Sequence, residues 1–417
     1  MRFVVEPLLA FFARRIVAKY KPQVIGITGS VGKTSTRAAV FAVISQKYRA
    51  YTPPKNLNDK IGLPLAIIGM DTPGRSLWGW IKVFTKAKML WLLPMKYPEV
   101  LVLEYGIDRV GEMDSLLAVA KPHISILTAI GLSHYEFFQD TETIAIEKGK
   151  ILEILTQGDT AIINADNDLA LAQQSKSKAP VITYGKAGSV HTVNIEEVLS
   201  EKANTVLHVT TGSKQLTAQI SAVGSVHVSS SLAAIAVGEA MGVETDLIIK
   251  GLAAYKPVPG RLNVIGGLKR SVLIDDTYNA APDSVREALL LLEKFPGNHK
   301  MAVLGDMLEL GSKSTEAHTA VGQEVARIAP NHLVTVGAGG KIIADSAIAA
   351  GLPEERVISF DTSSEAQLPV QELMREGSVV LIKGSQSIRM ERITKEVMAE
   401  PMRASELLCR QYGKWLD

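Results

Sequence analysis

One stretch decides the fold of this chain: Val24-Ile25-Gly26-Ile27-Thr28-Gly29-Ser30-Val31-Gly32-Lys33-Thr34-Ser35. Residues 24–27 predict a buried strand, and residues 34–43 predict the helix that follows it. A glycine-rich turn between a strand and a helix leaves backbone N–H groups free to bind phosphate oxygens. The residues expected to contact the phosphates are Gly29, Ser30, Gly32, Lys33, Thr34 and Ser35.

Two side chains of this loop carry the predicted chemistry. Lys33 would reach the β- and γ-phosphates, and the Thr34 hydroxyl would hold Mg²⁺. The match is imperfect, because Ile27 stands where the strict motif has its first glycine. The alternative is a plain strand–turn–helix with structural glycines, but Gly-Lys-Thr at a helix start favours a site for a nucleoside triphosphate such as ATP.

Length, charge and cysteine content limit the possible domain number, partners and compartment. A chain of 417 residues is long enough for two or three domains, and its net charge of +2 argues against nucleic acid as a partner. A single cysteine, Cys409, cannot form an internal disulfide, so we expect a reducing, cytoplasmic setting and a packed rather than nucleophilic thiol.

Two apolar stretches could be mistaken for membrane segments. Residues 1–20 predict an amphipathic helix packed on the adjoining domain, with Leu8, Phe12, Ile16 and Tyr20 on one face. Residues 77–93 contain three tryptophans and three lysines, and no stretch has the uncharged length that a membrane-spanning helix needs. The second stretch predicts either a helix that packs on the core or covers the active site, or peripheral contact with a membrane surface.

Apolar strands alternate with helical patterns along the chain, which is typical of parallel α/β sheets. The strands are expected at 100–103, 124–128, 161–164, 272–274, 301–304, 332–336 and 379–382. Residues 159–223 instead predict antiparallel structure added to the first sheet. Two prolines and a glycine in 255–261 indicate a boundary, so we expect an N-terminal helix (1–20), an ATP-binding domain (21–257) and a C-terminal α/β domain (258–417).

Polar residues at predicted strand ends are the remaining candidates. Glu104 closes an apolar run downstream of the phosphate loop, a position suited to a Mg²⁺ ligand or to a solvated acid. His134 follows the next strand, and Lys148 lies on a helix expected at 141–155; by pattern alone each reads as structural or as a surface residue.

The C-terminal half also has polar residues directly after predicted strands. Asp275 and Asp276 follow a strand and suit ribose hydroxyls, and Asn279 offers a donor and an acceptor. Lys383 and Ser385 follow the last predicted strand, at the sheet edge where ligands collect.

Taken in order, these strings resemble the Mur ligase family, the ATP-dependent amide ligases of peptidoglycan synthesis. The similarity runs from about residue 21 to about residue 400. It includes the strings at 28–35, 58–64 (Asn-Asp-Lys-Ile-Gly-Leu-Pro), 260–262, 275–284, 305–311 and 383–385, together with Glu391. The resemblance implies a P-loop central ATPase domain followed by a Rossmann-like C-terminal domain.

The resemblance also implies a reaction. An acceptor carboxylate attacks the γ-phosphate of ATP to form an acyl phosphate, and an amine then displaces phosphate. The expected acceptor is a peptide or muramoyl-peptide, and the expected amine is an amino acid or dipeptide, with D-alanyl-D-alanine the best match. Two Mg²⁺ ions are expected.

Residue roles follow from the same resemblance. Lys33, His134, Lys148, Asn279 and Lys383 would be catalytic, and Thr34, Glu104, His134 and Lys148 would hold metal, with Lys148 carbamylated. Arg261 and Asp276 would engage the nucleotide after the domains close.

The sequence also departs from the family pattern. Ala129 and Ala281 each stand where the family has Asn, and Gln386 stands where it has Arg; His227 falls in a string whose adenine contacts would differ. Residues 1–20 precede the predicted ATP-binding domain, so we expect no counterpart here of the family's separate UDP-binding domain. A lipid-linked or free-peptide acceptor, or a non-catalytic nucleotide-binding subunit, therefore remain alternatives; a folate-polyglutamating ligase and a phosphotransferase fit the C-terminal strings less well.

Overall fold

The computed structural model describes residues 2–132, 135–138 and 140–415. Two sheets with helices on their faces make up the described chain, which confirms the α/β prediction. His134, a predicted catalytic and metal-binding residue, lies outside the described residues.

The first sheet has the strand order β2-β3-β1-β4-β5-β6-β7-β8-β9. Its strands are β1 (Gln23–Thr28), β2 (Ala50–Tyr51), β3 (Val100–Glu104), β4 (Ile124–Leu127), β5 (Thr160–Asn164), β6 (Val181–Tyr184), β7 (Val190–Val198), β8 (Asn204–Thr211) and β9 (Lys214–Ile220). The first six are mutually parallel, whereas β7, β8 and β9 pair antiparallel. The prediction of antiparallel structure for residues 159–223 is therefore confirmed for β7 to β9 and wrong for β5 and β6, which continue the parallel part of the sheet.

The helices around this sheet are α1 (Arg2–Tyr20), α2 (Lys33–Ile44), α3 (Gly62–Ile68), α4 (Leu77–Leu92), α5 (Glu112–Val119), α6 (Tyr135–Phe138), α7 (Thr141–Glu153), α8 (Asp168–Leu171), α9 (Ser225–Ala240) and α10 (Thr245–Ala254). One apolar cluster joins α1, α3, α4, α5 and α7 to one face of the sheet, and a second joins α2, α9 and α10 to the other. The strands read as continuous apolar runs because both faces are covered.

The second sheet has the order β10-β11-β15-β12-β13-β14. Its elements are β10 (Asn263–Gly266), β11 (Val272–Asp276), α11 (Pro282–Lys294), β12 (Lys300–Gly305), α12 (Ser314–Ile328), β13 (His332–Val336), α13 (Ala338–Ala349), β14 (Val357–Phe360), α14 (Ser363–Leu373), β15 (Val379–Lys383), α15 (Glu391–Val397) and α16 (Ala404–Leu407). Only the edge strand β10 is antiparallel to its neighbour. The carboxyl ends of β11 and β15 therefore lie side by side.

The N-terminal helix packs on the first sheet as expected, but one residue of its predicted buried face is wrong. Leu9, Ala13 and Ile16 are fully buried, whereas Leu8 is 39% exposed. The fully buried stripe is offset by one residue from the predicted one, and Val5, Phe12 and Tyr20 pack beside it, since α1 contacts α3, α4 and α5.

Residues 77–93 form α4, and the prediction of a helix packed on the core is confirmed. Trp80, Val83, Ala87 and Leu90 are buried in the first cluster. Among the described residues, no helix combines the length and apolarity needed to cross a membrane.

Candidate active site

The glycine-rich loop joins β1 to α2 and has the conformation that its glycines allow. Gly29 and Gly32 have φ values of 145° and 89°, which side chains of L-residues rarely adopt. A Cβ on Gly29 would lie 2.0 Å from Thr128 Oγ1, so only glycine fits there. Gly32 precedes α2 without a side-chain cap, which leaves the first N–H groups of the helix available to an anion.

The segment after β4 stabilises this loop through hydrogen bonds. Thr128 Oγ1 donates to the Val31 carbonyl at 2.7 Å, and the Ser30 N–H donates to the Ala129 carbonyl at 2.5 Å. Ala129 takes part through its backbone, so this contact does not need the asparagine of the family pattern. The geometry of the loop is set by these bonds before any ligand arrives.

Lys33 turns back over the loop. Its Nζ donates to the Gly29 carbonyl at 2.6 Å. Desolvation lowers the pKa of Lys33 to about 8, against the opposing field of the Glu104 carboxylate. The ammonium is thus held where a phosphate oxygen would take over its hydrogen bond.

Glu104 ends β3 next to this lysine and is 1% exposed. Arg37 Nε, on α2, lies 3.1 Å from Glu104 Oε1, while both carboxylate oxygens lack a hydrogen-bond donor among the described residues. A buried carboxylate with unused oxygens can accept a hard cation.

Lys148 lies on α7 and is also 1% exposed. Burial lowers its pKa well below the ordinary value, and the Lys33 charge lowers it further, whereas Asp108 and Glu147 oppose the shift. Burial therefore shifts Lys148 toward its neutral amine form, and its position in the core differs from the surface position that the sequence pattern alone suggests.

The carboxyl ends of β11 and β15 supply a second group of polar residues. Lys383 Nζ donates to Asp276 Oδ2 at 2.5 Å and to the Asn279 carbonyl at 2.8 Å. Asp276 Oδ1 accepts the Leu262 N–H at 3.1 Å. This buried pair holds the 276–279 turn against the last strand.

Arg261 links the two halves of the molecule. Its Nη2 lies 3.5 Å from Thr34 Oγ1, and its guanidinium stacks 3.9 Å from the centre of the Tyr278 ring. The Tyr278 hydroxyl accepts a hydrogen bond from Asn56 at 2.9 Å. These contacts place the start of the second half directly over the phosphate loop.

A cavity of about 580 Å³ lies between the halves and collects most of the predicted site residues. The predicted residues that line it are Ser30, Gly32, Thr34, Ser35, Arg261, Asp276, Asn279 and Lys383. Gly29, Lys33, Glu104 and Lys148 are not on its wall. Lys33 is the link among the last three, because its pKa is raised by the Glu104 carboxylate and its charge lowers the pKa of Lys148.

Sequence reasoning missed several lining residues. Asn164 ends β5, Asp166 and Asn167 follow it, and Glu287 comes from α11. Asn167 bonds both the N–H and the carbonyl of Ile130 at 3.1 Å. The strand-end rule that found Glu104 could have found Asn164, but nothing in the pattern of α11 indicates Glu287.

His227 is a fully buried residue behind the cavity. Its Nδ1 lies 2.7 Å from the Tyr255 hydroxyl and its Nε2 lies 3.4 Å from the Leu262 carbonyl, a pattern that suits the neutral ring with its proton on Nε2. Burial lowers the pKa of His227 from 6.5 to about 4.

A pH-dependent loss of stability is expected from this histidine. Between pH 6.5 and 4 the unfolded chain binds the proton and the folded chain does not, so the free energy of unfolding falls by about 3 kcal/mol as pH is lowered. Urea titrations of the wild type and of His227→Asn across this range measure the effect as the difference between their slopes. Asp275, whose pKa burial raises to about 7, titrates in the opposite sense and is common to both proteins. If the unfolding free energies of the two proteins changed equally with pH, the lowered pKa assigned to His227 would be contradicted.

Comparison with known proteins places this architecture in a family. Residues 27–238 match the Mur ligase middle domain, and residues 260–386 match the family described as Mur ligase, glutamate ligase domain. A UDP-N-acetylmuramoyl-tripeptide–D-alanyl-D-alanine ligase of Bacillus subtilis is 30% identical over 391 residues, covering 94% of this chain and 79% of the relative.

Solved structures agree. The MurF ligase of Thermotoga maritima in complex with ADP superimposes with a TM-score of 0.78 at 26% identity, covering 94% of this chain and 83% of that one. MurF from Acinetobacter baumannii has the same TM-score and identity, covering 96% and 80%. With its phosphate loop, its second sheet and the cavity between them all within the matched regions, this chain belongs to the Mur ligase family.

Proposed function

We propose that this chain is an ATP-dependent ligase that joins D-alanyl-D-alanine to the terminal carboxylate of a muramoyl-peptide. The observation that carries the proposal is a single cavity with the phosphate loop on one side and the Asp276–Lys383 pair on the other. The names of the relatives supply the substrates. The proposal keeps the predicted division into a nucleotide-binding part, residues 21–257, and a C-terminal part, residues 258–417.

The reaction needs two displacements. The acceptor carboxylate attacks the γ-phosphorus of ATP, which forms an acyl phosphate and releases ADP. The amine of the dipeptide then attacks the acyl carbon, forming the amide, releasing phosphate and losing a proton. Both steps depend on positioning and on neutralising phosphate charge.

The phosphate loop and Lys33 would bind the triphosphate. The uncapped N–H groups of α2 point toward the loop, and Lys33 would exchange the Gly29 carbonyl for a phosphate oxygen. Arg261, already beside Thr34, would add a second cation on the nucleotide from the other half.

The residues present fit Mg²⁺. Glu104 offers a buried carboxylate whose oxygens have no hydrogen-bond donor among the described residues, and Thr34 offers a hydroxyl close by in sequence to Lys33. Mg²⁺ keeps several waters and needs few protein ligands. When bound, it would neutralise phosphate charge; His134 and a carbamylated Lys148 are proposed as further ligands for a second ion.

The C-terminal group would orient the second substrate. Lys383 and Asn279 line the same cavity as the loop, and the Asp276 carboxylate holds the Lys383 ammonium in place. The two halves also touch where the Glu136 N–H donates to the Glu309 carbonyl at 3.1 Å. A cavity closed between the halves would protect the acyl phosphate from hydrolysis.

Phosphate release from ATP tests the proposal. UDP-muramoyl-tripeptide with D-alanyl-D-alanine is expected to support turnover, and omission of either one is expected to abolish it. L-alanyl-L-alanine is the matched control for the amine. Turnover without the dipeptide would indicate an ATPase or a kinase instead.

The same assay identifies the acceptor. If the tripeptide without its nucleotide-sugar supports the same rate of phosphate release, the acceptor is a free peptide and not a muramoyl-peptide. If neither acceptor supports turnover while ATP still binds, the proposed substrates are wrong.

A further inference from the structure

The helix α4 is apolar on two sides. Its inner side, which contains Trp80, Val83, Ala87 and Leu90, is buried against α1 and α3. That side accounts for only part of the aromatic and aliphatic residues of the helix.

The packing of α1 holds α4 in a fixed orientation. Phe12 contacts Phe84 and Trp91 with ring centres 6.2 Å and 6.1 Å apart. Lys19 Nζ donates to the Leu90 carbonyl at 2.8 Å, which caps the C-terminal end of α4. The orientation of the opposite side is therefore set by this packing.

The outer face of α4 is exposed along its length. It consists of Trp78, Ile81, Lys82, Thr85, Lys88, Met89 and Leu92, which recur every three or four residues and thus share one side of the helix. Trp78 is 75% exposed and Leu92 is 55% exposed. Leu77, Leu93 and Met95 extend this apolar surface at the two ends. A contiguous apolar surface of this kind indicates a binding site.

The charges around this surface indicate which kind of partner binds it. Residues 72–98 contain five basic residues and no acidic one, whereas the rest of the chain has 40 basic residues against 43 acidic ones. The exposed cations are Arg75, Lys82, Lys88 and Lys96; within the described part of the chain, none of them pairs with a carboxylate. Lys86 instead donates to the Gly69 carbonyl at 2.8 Å.

We propose that the outer face of α4 docks on the surface of an anionic lipid bilayer. Apolar side chains would enter the headgroup region while the lysines beside them contact lipid phosphates, as in helices that lie in the membrane plane. A second copy of the chain fits less well, because a two-fold contact would bring these cations against themselves. No residue of α4 lines the cavity between the halves, so docking leaves the cavity open.

Vesicle sedimentation with the full chain tests the proposal. Vesicles of phosphatidylcholine with roughly 30% phosphatidylglycerol are expected to bind the protein, and pure phosphatidylcholine vesicles are expected to bind it at least about tenfold more weakly. Raising the salt from about 0.1 M to about 1 M should release most of the bound protein, because the screening length falls to about 3 Å.

Matched variants locate the contact. Lys82→Glu/Lys88→Glu is expected to weaken binding by about 30-fold or more. The same charge change in Lys202→Glu/Lys214→Glu should have little effect, because these exposed residues lie away from α4, in the turn before β8 and at the start of β9. Both double variants should keep the thermal stability and the solution ATP turnover of the wild type, since neither pair is in the core or on the cavity wall.

Tryptophan emission adds an independent readout. A vesicle-induced blue shift is expected in the wild type and should be largely lost in Trp78→Phe, although that variant still binds. Failure to bind anionic vesicles at low salt, or equal binding by the two double variants, would overturn the proposal. Self-association that the Lys82→Glu/Lys88→Glu change abolishes, without vesicle binding, would assign the face to a second copy instead. None of these outcomes depends on the ligase reaction, so the docking and the proposed function fail separately.

Discussion

Lys33→Ala is expected to reduce turnover by at least about 10³-fold, since the phosphate loop would lose the one side-chain cation that it holds in place for the transferred phosphate. Its ammonium is already positioned against the Gly29 carbonyl at 2.6 Å. The unfolding free energy should change little because the side chain is only partly buried. Steady-state phosphate release measures the loss.

The pKa of Lys33 provides a second readout. Because that pKa is about 8 without ligand, the protonated form that attracts phosphate declines as pH rises through 8. ATP affinity should therefore fall above pH 8 in the wild type and lose this dependence in Lys33→Ala. Lys47→Ala, a surface lysine just beyond the other end of α2, is the control and should behave as the wild type. Near-normal turnover in Lys33→Ala would remove this residue from the site.

Lys148→Ala is expected to lower turnover by at least about 10²-fold, and a small carboxylic acid such as acetate should restore part of it. Burial lowers the pKa of Lys148 and so favours the neutral amine, which is the form that adds CO₂ to give a carbamate and release a proton. An added carboxylate would replace the missing carbamate oxygens in the cavity that alanine leaves. Lys150→Ala, whose ammonium pairs with Asp114 at 2.7 Å, is the control on the same helix.

Stability separates a functional Lys148 from a structural one. Burying an amine without full compensation costs stability, so Lys148→Met should match or exceed the wild-type melting temperature while remaining inactive. A variant that is both inactive and strongly destabilised, with no rescue of Lys148→Ala by acetate, would show that the lysine is a packing residue. Wild-type rates in Lys148→Ala would remove it from the mechanism.

The elements of the fold were largely predictable because their signals are local. The strand at His332–Val336 was predicted to the residue, and the other strands that were given bounds were predicted to within one residue at each end, except that β11 extends two residues further. Strands such as β2, β10 and β14 were not predicted. Buried parallel strands read as short apolar runs between turn residues, whatever lies around them. The misplaced Leu8 shows the limit of this reasoning, because which stripe of α1 is buried depends on two helices later in the chain.

Some site residues were likewise predictable from local sequence, whereas others were recognisable only in the folded structure. Glu104 and Asp276 were found because a carboxylate at the end of a buried strand is visible in the sequence, whereas the Arg37 guanidinium 3.1 Å from Glu104 was not. Lys148 is the clearest case. Nothing around it in the sequence indicates burial, and its lowered pKa arises from that burial and from the charge of Lys33, which is 115 positions away in the chain.

By itself, therefore, the sequence determined the phosphate loop, the α/β class and the resemblance that carries the reaction, because each rests on short strings whose meaning is local. Only the tertiary structure decided that Arg261 contacts Thr34 and that burial lowers the pKa of Lys148. It also decided that α4 buries one side and exposes another side that carries both apolar residues and lysines. These properties depend on desolvation and on contacts between distant segments, and neither is defined until the chain has folded.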